Sequence, residues 1–515
     1  MTSLVLILSE TSAQYPDRPA LRHGAGMLSY AGLDDAAARC ASLLAARGVG
    51  RGHPVGLMVA NTPEFVICYY GILRVGGVVV PMNPLLTARE VRYYLRDSGA
   101  SLVFASPMSV PHAVEGAAGA DAALLGVDEE FLGLLGSHEP QSVLVARGED
   151  EVAVLLYTSG TTGRPKGAQL THANLRHNAV LVATTLLELS PDDVVLGCLP
   201  LFHVFGQSCA LNAALCSGAC LTLLTRFSAD AALEVMRRDG VTVFEGVPTM
   251  FSALLARSAR ARDAATVRLA VSGGAALPLE VLRGVERAFG FPVLEGYGLS
   301  ETSPAAAFNH PGRPRKPGSI GTPVQGVQLR LLDDNGADVG PAEVGEIAVR
   351  GHNVMLGYHN QPEATRAAIP DGWLRTGDLA RVDEDGDEFE QSRLAPGDYF
   401  GEDGLFTRLY AVSDKLRDGL SAVLLDAGLP AYVVGIGPLM QVWFAKEPIH
   451  NYRDAERHAD QTMFRHWWEG MLERGVLFHP GAYENLFVSA AHTHEDVEQT
   501  LRAARDTARA LALKV

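Results

Sequence analysis

Over the first half of the chain, short apolar runs alternate with longer stretches whose apolar residues recur at helical spacing. The runs Val55 to Val59, Val78 to Pro81, Leu102 to Phe104, Val152 to Leu156 and Val194 to Leu199 are short, apolar and rich in β-branched residues, which predicts buried strands. Residues 36–47 and 64–75 between them predict amphipathic helices. This alternation predicts an α/β fold of parallel sheets covered by helices, with ligands bound in loops beyond the carboxyl ends of the strands. From about residue 324 the segments shorten and alternate, as in Val327 to Leu332 and Gly345 to Arg350, and predict a small β-rich subdomain interrupted by the acidic stretch Asp383 to Glu390. Three helices follow. The first, 409–427, carries Leu409, Val412, Leu416, Leu420 and Leu424 at helical spacing; the second is 453–474; the third opens at a capping-box-like Thr493-x-x-Asp496 and ends near Leu511.

A chain of 515 residues holds two or more domains with full cores. Its 47% hydrophobic and 20% charged residues are those of an ordinary soluble protein. The formal charge of −16, without a dense Lys/Arg run, argues against a general nucleic-acid partner. No run approaches the length of a membrane span, and no basic residue precedes the apolar Leu4 to Leu8, so a cytoplasmic protein without a signal peptide is expected. Cys40, Cys68, Cys198, Cys209, Cys216 and Cys220 sit among apolar residues and are expected as reduced structural thiols. The Cys216/Cys220 pair has metal-like spacing, but its segment is apolar and lacks a second pair.

The chemistry concentrates after the run at 152–156. There Tyr157-Thr-Ser-Gly-Thr-Thr-Gly-Arg-Pro-Lys-Gly167 places hydroxyls, glycines and one ammonium together. A loop of this kind at a strand end offers N–H and O–H donors to a phosphate, and Lys166 adds charge. It is not a Walker A loop, because Pro165 precedes the lysine and Gly167 follows it. The segment resembles the phosphate-binding signature of the acyl-adenylate-forming enzymes (acyl-CoA synthetases, luciferases and peptide-synthetase adenylation domains), and the resemblance covers about residues 1–386.

That resemblance implies a set of roles. Thr158, Ser159, Gly160, Thr161, Thr162, Gly163 and Lys166 would cradle ATP phosphates. His203, in Leu199-Pro-Leu-Phe-His-Val-Phe-Gly206, would lie near the acyl pocket; a lone histidine beside aromatics is otherwise a packing residue. Gly273 and Gly274, in Ser272-Gly-Gly-Ala275, would let backbone approach the adenine and the acyl chain. In Glu295-Gly-Tyr-Gly-Leu-Ser-Glu-Thr302 the family roles make Tyr297 an adenine-stacking ring, Glu301 the Mg²⁺ ligand and Thr302 an α-phosphate contact. Asp378, in Trp373-Leu-Arg-Thr-Gly-Asp-Leu379, would accept bonds from the ribose hydroxyls. Together they imply activation of a small carboxylic acid, fatty or aryl, by Mg-ATP to acyl-AMP, followed by transfer to a thiol such as coenzyme A.

The resemblance stops after Gly386. Arg393 falls where relatives place a second ribose-binding arginine, yet Arg393 to Glu402 also resembles the start of a cyclic-nucleotide cassette without its phosphate-gripping arginine; residues 387–406 are expected as a linker. Residues 407–515 resemble the C-terminal part of glutamate-1-semialdehyde aminomutase-like class III aminotransferases, through Gly437 to Phe444, Arg474 to Pro480 and Glu484 to Thr493. A smaller α+β tail is therefore expected, with oligomerisation through it an open expectation. That family's pyridoxal-phosphate lysine region is absent from this sequence, and Lys415, Lys446 and Lys514 lack its context, so pyridoxal phosphate is not expected. The expected activity is thus an acyl-CoA-ligase-like adenylation with an impaired second half-reaction. Two alternatives remain: a non-catalytic ATP-binding fusion or scaffold, and a partial aminotransferase subunit.

Overall fold

The apolar runs become strands close to where their spacing places them. In the computed structural model, residues 3–513 are described except 142, 159–164, 314, 334, 341–342, 383–388, 392–404, 437, 450–451, 480, 482, 484–485 and 490–491. The chain divides into two units, Met1–Ser392 and Arg393–Val515.

In the first unit, a nine-stranded sheet contains six parallel strands in the spatial order Val293–Gly298, Leu269–Ser272, Val243–Gly246, Val194–Gly197, Cys220–Leu223 and Pro19–His23. A seven-stranded sheet contains five parallel strands, Val152–Thr158, Val78–Pro81, Pro54–Met58, Leu102–Ala105 and Ala123–Gly126. Its edge adds Lys166–Thr171 and Gly357–Tyr358, both antiparallel. One core takes a face of each sheet together with helices Tyr30–Ala45, Pro63–Arg74 and His172–Leu181 and the π-helix Gly206–Asn212. Strands buried on both faces read as continuous apolar runs, the pattern of the sequence. The outer face of the nine-stranded sheet packs on helices Ala229–Asp239, Pro248–Leu255 and Leu279–Phe289. The expected β-rich subdomain is a four-stranded antiparallel sheet of Val327–Leu332, Gly345–Gly351, Leu374–Val382 and Phe389–Gln391. Its last strand lies within the segment expected as linker.

The second unit packs helices Leu405–Asp426, Gln461–Leu472 and His494–Ala512 on a three-stranded sheet, with Trp467 fully buried at its centre. Thr493 closes the expected capping box with Asp496. The helix expected over 453–474 is instead two, Tyr452–His458 and Gln461–Leu472. Asp460 makes the break: its side chain accepts from the Met463 N–H at 2.8 Å, and its own N–H donates to the Phe444 carbonyl at 2.7 Å. Among the described residues no helix is long and apolar enough to cross a membrane, and all six cysteines are unpaired thiols.

His172 ties the start of the chain to the core of the first unit. The ring is fully buried, and its Nδ1 accepts the Leu4 N–H at 3.1 Å. Burial, then the charge of Arg147, lowers its pKa to about 4. Between pH 6.5 and 4 the unfolded chain holds a proton that the folded chain does not, so stability falls as pH drops, by at most about 1.4 kcal/mol per unit. Denaturant midpoints should fall across that window and fall less steeply in His172→Gln; identical slopes would count against the assignment.

Candidate active site

The signature residues on either side of 159–164 pair antiparallel. Strand Val152–Thr158 turns back antiparallel into Lys166–Thr171, with Thr158 opposite Lys166 and Tyr157 opposite Gly167. Ser159, Gly160, Thr161, Thr162 and Gly163 lie outside the described residues, as does Arg393. Both flanks are anchored by helix Ala88–Ser98. The Tyr157 ring stacks on Tyr94 at 4.2 Å, and its hydroxyl donates to Asp97 at 2.7 Å. The Tyr93 hydroxyl donates to the Pro165 carbonyl at 2.8 Å.

The hairpin meets Glu301 on the adjoining turn. Glu301 Oε1 accepts from the Tyr358 hydroxyl at 2.9 Å and from Thr158 Oγ1 at 3.4 Å. The Lys166 ammonium lies 5.1 Å from the Tyr358 ring centroid, within cation–π range. Burial and the neighbouring Glu301 push the Tyr358 phenol well above its usual range, so it stays a donor. The Met355 N–H holds the Glu301 backbone carbonyl at 2.9 Å. Thr302, by contrast, is fully buried, and its hydroxyl is used within the turn, accepting from the Leu299 N–H and donating to the Pro304 carbonyl.

A second pair forms on the strand that leads into the Glu301 turn. The Tyr297 hydroxyl donates to Asp378 Oδ2 at 2.7 Å. Burial, then the Asp378 charge, pushes the Tyr297 phenol far above its usual range. Asp378 sits on strand Leu374–Val382, where its register with Gly345–Gly351 shifts, and Glu346 holds this irregular stretch by accepting from Arg375 Nε at 2.7 Å and the Gly377 N–H at 2.8 Å. Gly377 has φ of +77°, a conformation that favours glycine.

His203 stands just ahead of the π-helix. It reaches solvent, while the protein around the ring lowers its pKa by desolvation. Its Nδ1 accepts the Phe205 N–H at 3.2 Å, which leaves the neutral ring's proton on Nε2. The buried Gly273 lies under the Phe205 ring, where a Cβ would come within 3.0 Å, and next to the Gly296 carbonyl. Gly274 is exposed, with φ of +77°. His203, Gly273, Gly274, Tyr297, Asp378, Glu301, Thr158 and Lys166 therefore share the region beyond the carboxyl ends of the parallel strands. Tyr358, Glu346 and the Tyr93/Tyr94/Asp97 group were not singled out in the sequence. Only the last left a signal, a polar–aromatic face at helical spacing.

Two parallel sheets on a shared core, with these groups at their strand ends, make an α/β adenylate-forming fold. The same architecture occurs in an anthranilate CoA ligase solved in complex with anthranoyl-AMP (TM-score 0.72, 28% identity, 75% of this chain and 77% of that one). A long-chain-fatty-acid–CoA ligase of Bacillus subtilis (strain 168) is 32% identical over 421 residues, 75% of each chain. A feruloyl-CoA synthase of an Amycolatopsis species is 38% identical over 374 residues, 72% of this chain and 74% of its own. The chain belongs to the AMP-binding enzyme family, whose model matches residues 8–359, and it is an AMP-forming ligase of the acyl-CoA-synthetase type. These relatives favour that reading over a nucleotide-binding scaffold or a partial aminotransferase.

Because no heavy atom lies within 4 Å of a Cβ built at Gly377, Gly377→Ala isolates backbone strain. It should lower stability by about 1–2 kcal/mol; a denaturation curve matching wild type would refute the strain.

Proposed function

We propose that this chain activates a fatty or aryl carboxylic acid with ATP, giving acyl-AMP and pyrophosphate. The observation that carries the proposal is the meeting of Thr158, Lys166 and Tyr358 around the Glu301 carboxylate, one turn from the Tyr297–Asp378 pair. Glu301 fits a Mg²⁺ site: Oε1 is turned to two hydroxyls, and Mg²⁺ prefers one or two carboxylates together with phosphate oxygens. Bound there, Mg²⁺ would neutralise charge on the phosphates.

The remaining roles fall to the chain itself. Lys166 and the 158–163 donors hold the phosphoryl oxygens, Asp378 takes the ribose hydroxyls, and Tyr297 stacks on the base. The substrate carboxylate attacks the α-phosphorus, and the bond to pyrophosphate breaks. Lys166 meets the charge that develops on the phosphoryl oxygens. His203, neutral with its proton on Nε2, offers a donor near the acid. Thr302 supports the α-phosphate only through its backbone, since its hydroxyl closes the turn. Unpaired thiols accord with a cytoplasmic location.

We also propose that thioester formation is weak in this chain. The family's Gly-Lys context does not follow Gly386, Lys415 is paired with Glu498 at 2.8 Å, and Lys514 lies outside the described residues. The aminotransferase-like sequence of the tail accords with a replaced second half; of the domain reading 1–386, 387–406 and 407–515, the middle segment shrinks, since strand Phe389–Gln391 belongs to the first unit and helix Leu405–Asp426 to the second.

Acid-dependent ATP–pyrophosphate exchange tests the first half-reaction. Glu301→Gln should slow it by roughly a hundredfold. Asp378→Ala should weaken ATP binding by about tenfold or more, the loss of charge-assisted hydrogen bonds; unchanged exchange and affinity in these variants would refute the assignments. Acyl-CoA formation by the full chain should be far slower than exchange, and comparable rates would overturn the second proposal.

A further inference from the structure

One carboxyl in the first unit stands outside the machinery above. Glu245 lies on strand Val243–Gly246, is fully buried, and neither of its carboxyl oxygens has a hydrogen-bond partner. A buried polar group without a partner is destabilising, so one kept in this state asks for a ligand.

The strand's alternation fixes its direction. Phe244 points into the outer core, so Glu245 shares the inner face with Val243, whose core also holds Val271 and the π-helix residues Cys209 and Ala210. Electrostatics agree: after burial, the charge of Glu245 is what raises the Cys209 thiol. The π-helix on this face begins with two more fully buried side chains without partners, Gln207 and Ser208.

Glu245 is also one residue from the lip of the site. Gly246 ends the strand, and its carbonyl accepts the Gly273 N–H at 3.2 Å; Gly273 in turn lies under Phe205, next to His203 on the chain. Gly246 thus links Glu245 to the glycine and ring beside His203.

We propose that Glu245 is a specificity-determining residue that hydrogen-bonds a hydroxyl carried at the far end of the acyl group. The assignment rests on the adenylation reading above. Burial raises the Glu245 pKa to about 8, so at neutral pH the carboxyl is largely uncharged and both donates and accepts. A second carboxylate or a sulfonate would gain less there than a hydroxyl. A site that bonds a hydroxyl also disfavours the analogue lacking it, because its own polar group then stays unpaired.

The test compares kcat/KM for pyrophosphate exchange by the full chain within two acid pairs, 4-hydroxycinnamate against cinnamate and 16-hydroxyhexadecanoate against hexadecanoate. In one pair the hydroxylated acid should be favoured about tenfold or more. Glu245→Met should abolish that preference while still using the parent acid, and Glu245→Gln should keep part of it. A purely structural role would change both members of a pair equally, so an unchanged ratio in Glu245→Met overturns the assignment. Equal use of both members by the wild type overturns it as well. Absence of exchange with all four acids overturns the adenylation reading and this assignment together.

Discussion

Thr158 and Lys166 face each other across an antiparallel pair, and the placement of the candidate site depends on that pairing. The hairpin adds an antiparallel edge to five parallel strands and brings a hydroxyl and an ammonium to the same point outside the sheet. Backbone hydrogen bonds fix the register, and a one-residue slip would reverse which side chains face the cleft. Tyr93, Tyr94 and Asp97 brace both flanks from a single helix. Thr158 and Lys166, so braced, lose less freedom when a phosphate arrives.

The two carboxylates of the site are handled differently. Glu301 is turned toward hydroxyl donors and lies near, though not bonded to, Lys166. A carboxylate in direct contact with the lysine would spend its charge on that partner. Tyr358 serves both, its hydroxyl on Glu301 and its ring within cation–π range of Lys166. Asp378 is oriented from behind, because Glu346 holds Arg375 and the Gly377 N–H and so sets the strand irregularity that presents it.

Much of the first unit was legible in the sequence, since buried parallel strands leave continuous apolar runs and the motif residues are contiguous. The Thr493–Asp496 cap was legible for the same reason: its partners are three residues apart. The split at Asp460 was not, because the bond to Phe444 that turns the chain there depends on the sheet. Nor was the reversal after Thr158, whose glycine–hydroxyl run suits a phosphate loop and a hairpin turn equally. Tyr358 reaches Glu301 across 57 residues and Tyr297 reaches Asp378 across 81; neither contact leaves a periodic trace. The burial of Thr302 likewise depends on the fold of its turn.

The bond from Tyr297 to Asp378 bears on how the protein tells nucleosides apart. In the ribose role proposed for Asp378, an arriving sugar hydroxyl replaces a phenolic hydroxyl, one neutral donor for another of similar strength. The exchange at Oδ2 releases little net free energy, so that hydroxyl adds modestly to affinity and the larger share comes from the second ribose hydroxyl on the other carboxylate oxygen. Discrimination is a separate matter: a sugar lacking that hydroxyl displaces the phenol and returns nothing to the carboxylate. The contact therefore acts as a toll on entry that only a hydroxylated sugar refunds.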